Sequence, residues 1–208
     1  MAKKKILIVF GTRPEAIKMA PLVHAFNQHS NVLETRVCVT AQHRYMLDQV
    51  LDFFEIKPHY DLDLMQPNQT LNQLTADVIT GMKAVLEDYS PDYVFVHGDT
   101  TTSFAAGLAA FYANAKVCHV EAGLRTYNKY APFPEEMNRQ LTARLTDYHF
   151  APTDTAQQNL AQEHILPEKI FVTGNTVIDA LLYSVNRLKQ YNDAEIDLLK
   201  NTLDFTKK

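Results

Sequence analysis

The 208-residue chain has little cysteine, no excess of one charge and no long apolar run, and each shortage closes off a class of protein. Lys and Arg number 20 against 24 Asp and Glu, a formal charge of −4. Such a balance lacks the basic face that a nucleic-acid partner requires. Apolar stretches such as Ile6–Phe10 are far shorter than the ~20 residues that span a bilayer. The basic opening Met1-Ala-Lys-Lys-Lys5 resembles a signal peptide only briefly, because its apolar run ends at Gly11-Thr-Arg-Pro-Glu15 without a cleavage site. Cys38 and Cys118 lie inside apolar, strand-like segments with no C-x-x-C spacing, so they read as buried free thiols. With 46% hydrophobic and 21% charged residues the chain has ordinary globular usage, which excludes disorder. A soluble cytoplasmic domain, with neither nucleic acid nor membrane as partner, is expected.

What is present is a repeated alternation of short apolar runs and helical patterns. Strands are expected at Lys5–Phe10, Thr35–Thr40, Tyr93–His97, Lys116–Val120, Tyr148–Ala151 and Ile170–Thr173, with a short one at Asp61–Leu64. Between them fall helical patterns after Pro14, over Tyr45–Phe54 with Met46, Val50 and Phe53/Phe54 on one face, and over Thr70–Tyr89, Thr100–Tyr112, Pro134–Thr146 and Asp154–His164. A last helix starts near Asn175, which is placed to cap it. Strands alternating with helices predict βαβ units, hence an α/β fold with a doubly wound, Rossmann-like parallel sheet. Asn186–Lys208 is charged and amidic and adds no strand.

In such a sheet ligands bind beyond the carboxyl ends of the strands. The first strand runs into Gly11-Thr12-Arg13-Pro14-Glu15, where a helix N-terminus and a guanidinium suit an anion, although an ordinary surface arginine reads equally well. There is no G-x-G-x-x-G, so no dinucleotide cofactor is implied. Two further strands end in acids, at Val96-His-Gly-Asp99 and His119-Val-Glu121. A carboxylate at the end of a buried strand is costly unless paired or used, although Asp99 is also placed to cap the helix beginning at Thr100. The helix after Pro132-Phe-Pro134 carries an apolar stripe of Met137, Leu141 and Leu145, which puts Glu135, Arg139 and Thr142 on the other side at about 100° per residue. Periodicity does not decide between Glu135 and Glu136, and both suit a helix N-terminus as plain stabilisers. His97 and His119 stand two residues before Asp99 and Glu121, a conceivable metal cluster, but burial with a hydrogen bond is the simpler fate of both.

The runs Phe10-Gly-Thr-Arg-Pro-Glu-Ala-Ile-Lys-Met-Ala-Pro-Leu22, Thr40-Ala-Gln-His-Arg44, Val96-His-Gly-Asp-Thr100, His119-Val-Glu-Ala-Gly-Leu-Arg125, Pro132-Phe-Pro-Glu-Glu-Met-Asn-Arg139 and Thr173-Gly-Asn-Thr-Val-Ile-Asp179 resemble the non-hydrolysing UDP-N-acetylglucosamine 2-epimerases. They fall in family order over residues 5–182. The resemblance implies the N-terminal half of a two-domain, glycosyltransferase-B-like architecture, with residues 1–173 as the first domain and 174–208 as a linker and opening helix of a truncated second one. It implies a homodimer that acts on UDP-N-acetylglucosamine without cofactor or metal, eliminating UDP to a 2-acetamidoglucal and adding it back to give the manno epimer for surface polysaccharides. The family's catalytic carboxylates fall on Asp99, Glu121 and Glu135. Its substrate-binding positions fall on Arg13, Lys18, Arg139, Gln42 and His43. Gln42 also matches part of an activator site found in some members, but Tyr45 and Asn68 stand where a glutamine and an arginine are expected, so allosteric activation is not anticipated.

The chemistry explains the number of acids. Epimerisation at C2 removes a proton from one face and returns one to the other, which needs at least two positioned acid/base groups. Cations must stabilise the departing diphosphate. Because the family's second domain is missing from the chain, little or no activity is expected of it alone. The competing readings are a glycosyltransferase-like domain, a metal-dependent hydrolase on His97, Asp99, His119 and Glu121, and a non-catalytic remnant.

Overall fold

The computed structural model describes residues 2–40, 44–64, 66–189, 197–198 and 201–202. Seven strands form one sheet: β1 (Lys4–Phe10), β2 (Leu33–Val39), β3 (Tyr60–Asp61), β4 (Tyr93–His97), β5 (Lys116–Val120), β6 (Tyr148–Ala151) and β7 (Ile170–Val172). Every pairing is parallel, in the spatial order β3-β2-β1-β4-β5-β6-β7. The chain therefore winds outward from β1 through β2 to β3, returns to the other side of β1, and winds outward again. The switch lies between β1 and β4.

The helices are α1 (Arg13–Gln28), α2 (Arg44–Phe53), α3 (Leu71–Tyr89), α4 (Thr101–Tyr112), α5 (Glu135–Leu145), α6 (Asp154–Gln162) and α7 (Val177–Leu188), with a 3₁₀ turn at Pro167–Lys169. Because strand side chains alternate between faces, Ile6, Ile8 and Phe10 of β1 enter one core and Leu7 and Val9 the other. The first core is closed by Met19 and Val23 of α1, by Leu47 and Val50 of α2, and by Ala180 of α7. The second is closed by Val78 and Met82 of α3 and by Ala105 and Ala109 of α4. β1 is buried on both faces, which is why its apolar run shows no polar alternation. Cys38 and Cys118 are buried free thiols, one in each core, and burial pushes each up to about 12.

Helix starts follow their caps. Thr12, Thr70, Thr100 and Thr153 each accept a backbone N–H from their own first turn, and Thr12 with Glu15 closes a reciprocal capping box. Asp99 is not a cap, because Thr100 holds that role. The phase of α2 differs from expectation: Leu47, Val50 and Leu51 face the core, whereas Met46 is 40% exposed.

The largest departure is α5. Its buried face is Glu136, Asn138, Arg139, Thr142 and Ala143, while Leu141 of the expected apolar stripe is 40% exposed. The helix packs against α4 and β5, and its first turns meet the loops after β4 and β5 through Glu136, Asn138 and Arg139, so these polar side chains turn inward.

Candidate active site

The carboxyl ends of β1, β4 and β5 lie side by side, and the loops that follow them converge at the switch point. Gly98 turns the chain after β4 with φ +64°, in the left-handed region that glycine adopts without strain. Glu121 follows β5 with φ +61°, unusual for a residue with a side chain and of the kind that accompanies functional sites.

Two ion pairs dominate this edge. Lys18 Nζ donates to both oxygens of Glu121, at 2.7 and 2.8 Å. Asn175 Nδ2 donates to Glu121 Oε1 at 2.8 Å, and His97 Nε2 lies 3.4 Å from Oε2. Burial opposes ionisation of Glu121, yet the hydrogen bond from Lys18 and the charges around it win, and its pKa is held below the ordinary range. Arg139 Nη2 meets Asp99 Oδ2 at 2.8 Å. There the balance reverses: burial, with the charges of Glu135 and Glu121, outweighs Arg139 and raises Asp99. The surroundings of these two acids on one sheet edge thus push their pKa values in opposite directions.

Glu135 and Glu136 separate clearly. Glu136 is fully buried and accepts the backbone N–H groups of Thr126 and Tyr127 at 3.1 and 3.0 Å and Gln140 Nε2 at 2.7 Å. It pins the 121–134 loop. Glu135 is half-buried and its carboxylate makes no hydrogen bond among the described residues, but its charge acts on Asp99. Asn138 Nδ2 donates to the Asp99 carbonyl at 2.9 Å, so α5 grips the β4–α4 loop through two side chains.

Of the three expected cations, Lys18 and Arg139 are committed to acids, whereas Arg13 is exposed and forms no ion pair among the described residues. A cleft of about 490 Å³ lies beside it, lined by Arg13, Pro14, Ile17, Lys18, Met46 and Val177. Gln42 and His43 lie outside the described residues. The proposed metal set does not assemble: His119 Nε2 faces the Gly98 carbonyl at 2.7 Å, and among the described residues no group of three or more His, Cys, Asp or Glu side chains is arranged to hold a metal.

Sequence reasoning passed over Glu15. It is buried, and it accepts from Gly11 N, Thr12 N, Thr12 Oγ1, Thr100 Oγ1 and Ser103 Oγ at 2.7–3.1 Å. The T-x-x-E spacing of a capping box was the available signal. Asn175 was expected only to cap α7; the cap position is Thr176, and Asn175 sits one residue before it. Its Oδ1 does accept from Val177 N at 3.0 Å, but its amide nitrogen goes to Glu121.

A doubly wound α/β domain that gathers acids and cations in the crevice at its switch point has the build of a domain binding a charged small molecule. Comparison with known proteins makes this specific. The family model described as UDP-N-acetylglucosamine 2-epimerase matches residues 24–205. The UDP-N-acetylglucosamine 2-epimerase of Neisseria meningitidis is 59% identical over 185 residues, which cover 89% of this chain and 50% of that protein. The enzyme of the same name from Yersinia pestis is 57% identical over 206 residues, 98% of this chain and 54% of its own length. The crystal structure of the Neisseria meningitidis enzyme bound to UDP-GlcNAc superposes with a TM-score of 0.85. That of the Methanocaldococcus jannaschii enzyme, in complex with UDP-GlcNAc and UDP, superposes at 0.87 with 34% identity, over 96% of this chain and 54% of that one. The chain belongs to the UDP-N-acetylglucosamine 2-epimerase family. It spans about half the length of the curated relatives it matches.

Proposed function

We propose that this chain supplies the acid/base half of an active site that interconverts UDP-N-acetylglucosamine and UDP-N-acetylmannosamine by eliminating UDP and adding it back. The observation that carries the reading is the contrasting surroundings of two acids at neighbouring strand ends, Glu121 gripped by Lys18 at 2.7 and 2.8 Å and Asp99 held by Arg139 at 2.8 Å, with burial and nearby acids raising Asp99 while Lys18 lowers Glu121. Environments that push two carboxyl groups apart define an acid and a base. Glu121, held ionised by Lys18, is suited to take the C2 proton as the C1–O bond to UDP breaks. Asp99, biased toward its neutral form, is suited to deliver a proton when UDP returns to the 2-acetamidoglucal. Reversal exchanges the two tasks. Glu135 completes the set of acids, and its partial exposure leaves it open to a ligand. Arg13, exposed beside the cleft, is the cation best placed to receive the diphosphate, while Lys18 and Arg139 tune the acids.

The reading extends to architecture. Residues 1–173 act as the first domain and 174–208 lead into a second, which is supported by the apolar face that α7 exposes at Ile178, Leu181 and Leu182. Phe111 and Tyr112, 56% and 67% exposed beside a groove of about 390 Å³ between α3 and α4, support a homodimer. The setting is the cytoplasm and the product feeds polysaccharide synthesis.

The test is to mix this chain with the separately expressed C-terminal half of the Neisseria meningitidis relative, in D₂O, with UDP-N-acetylglucosamine. The expected result is the manno epimer carrying deuterium at C2, with turnover lost in Asp99→Asn and Glu121→Gln. Transfer of the sugar to an acceptor, or epimer without deuterium, refutes the proposal. The chain alone is expected to give little or no turnover.

A further inference from the structure

Asn175 stands at a junction. β7 ends with Thr173 N donating to Ala151 O, the chain turns at Gly174, and α7 begins at Val177. The Asn175 amide touches both sides of this turn, with Oδ1 on Val177 N at 3.0 Å and Nδ2 on Glu121 Oε1 at 2.8 Å. Its orientation is chemically determined, because a backbone N–H only donates and a carboxylate only accepts. α7 in turn is seated on the first core by Tyr183, whose ring stacks on His24 and Phe54 at 5.1 and 5.2 Å. Lys18 and His97, the other groups against Glu121, come from α1 and β4, and the charge of Glu121 in turn raises Asp99 of the β4–α4 loop. Asn175 is thus the contact that joins Glu121 to the start of α7.

We infer that Asn175 is a positioning residue that couples the seating of α7 to the orientation of the Glu121 carboxylate. The inference rests on the reading of Glu121 as a site acid. Movement of α7 withdraws a donor from Glu121, so a helix packed across α1 on the first core adjusts the base.

Two substitutions separate this from a structural role. Asn175→Asp keeps an oxygen for Val177 N and replaces the donor by a like charge. Asn175→Ser keeps a capping hydroxyl but is too short to reach Glu121. The Glu121 carboxyl carbon is titrated by NMR in the 208-residue chain, its resonance assigned by its loss in Glu121→Gln. Asn175→Asp is expected to raise the Glu121 midpoint by about one pH unit, and Asn175→Ser by less. Both are expected to melt within a few degrees of the parent chain. In the reassembled enzyme, the acid limb of kcat/KM should move upward in the same order. An unchanged midpoint in both variants overturns the inference, and so does a shift seen only together with collapse of the melt. The titration reads the contact whether or not the sugar is turned over. Normal titration shifts without turnover would therefore overturn the catalytic reading of Glu121 and not the contact.

Discussion

Thr100 Oγ1 donates to Glu15 Oε1 at 2.7 Å, tying the first turn of α1 to the residue that caps α4. The other Glu15 oxygen holds Gly11 N and Thr12 N, so one buried carboxyl group braces the turn carrying Arg13 against the loop carrying Asp99. Ser103 Oγ contacts both Glu15 Oε1 and the His97 carbonyl with a single hydrogen to give. A proton on Glu15 relieves that competition, in keeping with burial raising its pKa despite five donors.

Glu15 therefore makes stability depend on pH. The folded state binds the Glu15 proton more tightly than the unfolded state, so stability falls as pH rises from the ordinary glutamate range through the raised value, and is level beyond it. Glu15→Gln keeps an acceptor and a donor and has no such slope. Urea unfolding at a series of pH values should show the variant gaining on the parent chain across that window. Parallel curves would disprove the assignment.

Three histidines act in the opposite direction. Burial lowers His97 and His149 to about 4 and His119 to about 3. Below the unfolded histidine value of about 6.5 the unfolded chain takes up protons that the folded chain refuses. Stability should drop with falling pH, by roughly 1 kcal/mol per unit for each histidine at full effect, until the folded values are reached. Neither ring nitrogen of His149 has a hydrogen-bond partner among the described residues. His149→Leu is expected to flatten the slope between pH 6 and 5 by roughly 1 kcal/mol per pH unit at most, and melts at each pH decide it.

Arg139 offsets the burial of Asp99. Arg139→Met should raise Asp99 further and leave it neutral over a wider range, moving the corresponding limb of the kcat/KM profile upward in the reassembled enzyme. Neutral Asp99 is the form that delivers the proton, so activity should persist to higher pH than in the parent enzyme. Arg139→Lys, which restores charge without the planar fork, should reverse part of the shift. A profile that falls in height without moving would show that Arg139 acts on the substrate instead.

Gly123 and Gly174 both have positive φ, +89° and +78°. A Cβ on Gly123 would lie 2.2 Å from the Ala156 carbonyl oxygen, whereas one on Gly174 would meet nothing within 4 Å. Gly123→Ala is expected to cost about 3 kcal/mol or more and Gly174→Ala about 1 kcal/mol, as backbone strain alone. Denaturant midpoints should rank them in that order, and equal losses would remove the role of the α6 contact.

The alternation of apolar runs and helical patterns determined the parallel sheet, because strands buried on both faces read as unbroken apolar runs, and the strand-end rule then singled out Asp99 and Glu121. Family motifs then chose Glu135 over Glu136, and packing shows Glu136 already occupied by two backbone N–H groups. What tertiary structure alone decided were pairings across long separations: Lys18 with Glu121, Glu15 with Thr100, Asn175 with Glu121. They arise because the sheet returns past β1 to lay β4 and β5 on its other side, an order that no local pattern encodes. Helix α5 makes the same point: periodicity locates its two faces, but only the loops that its first turns meet decide that Arg139 and Glu136 turn inward and Leu141 outward.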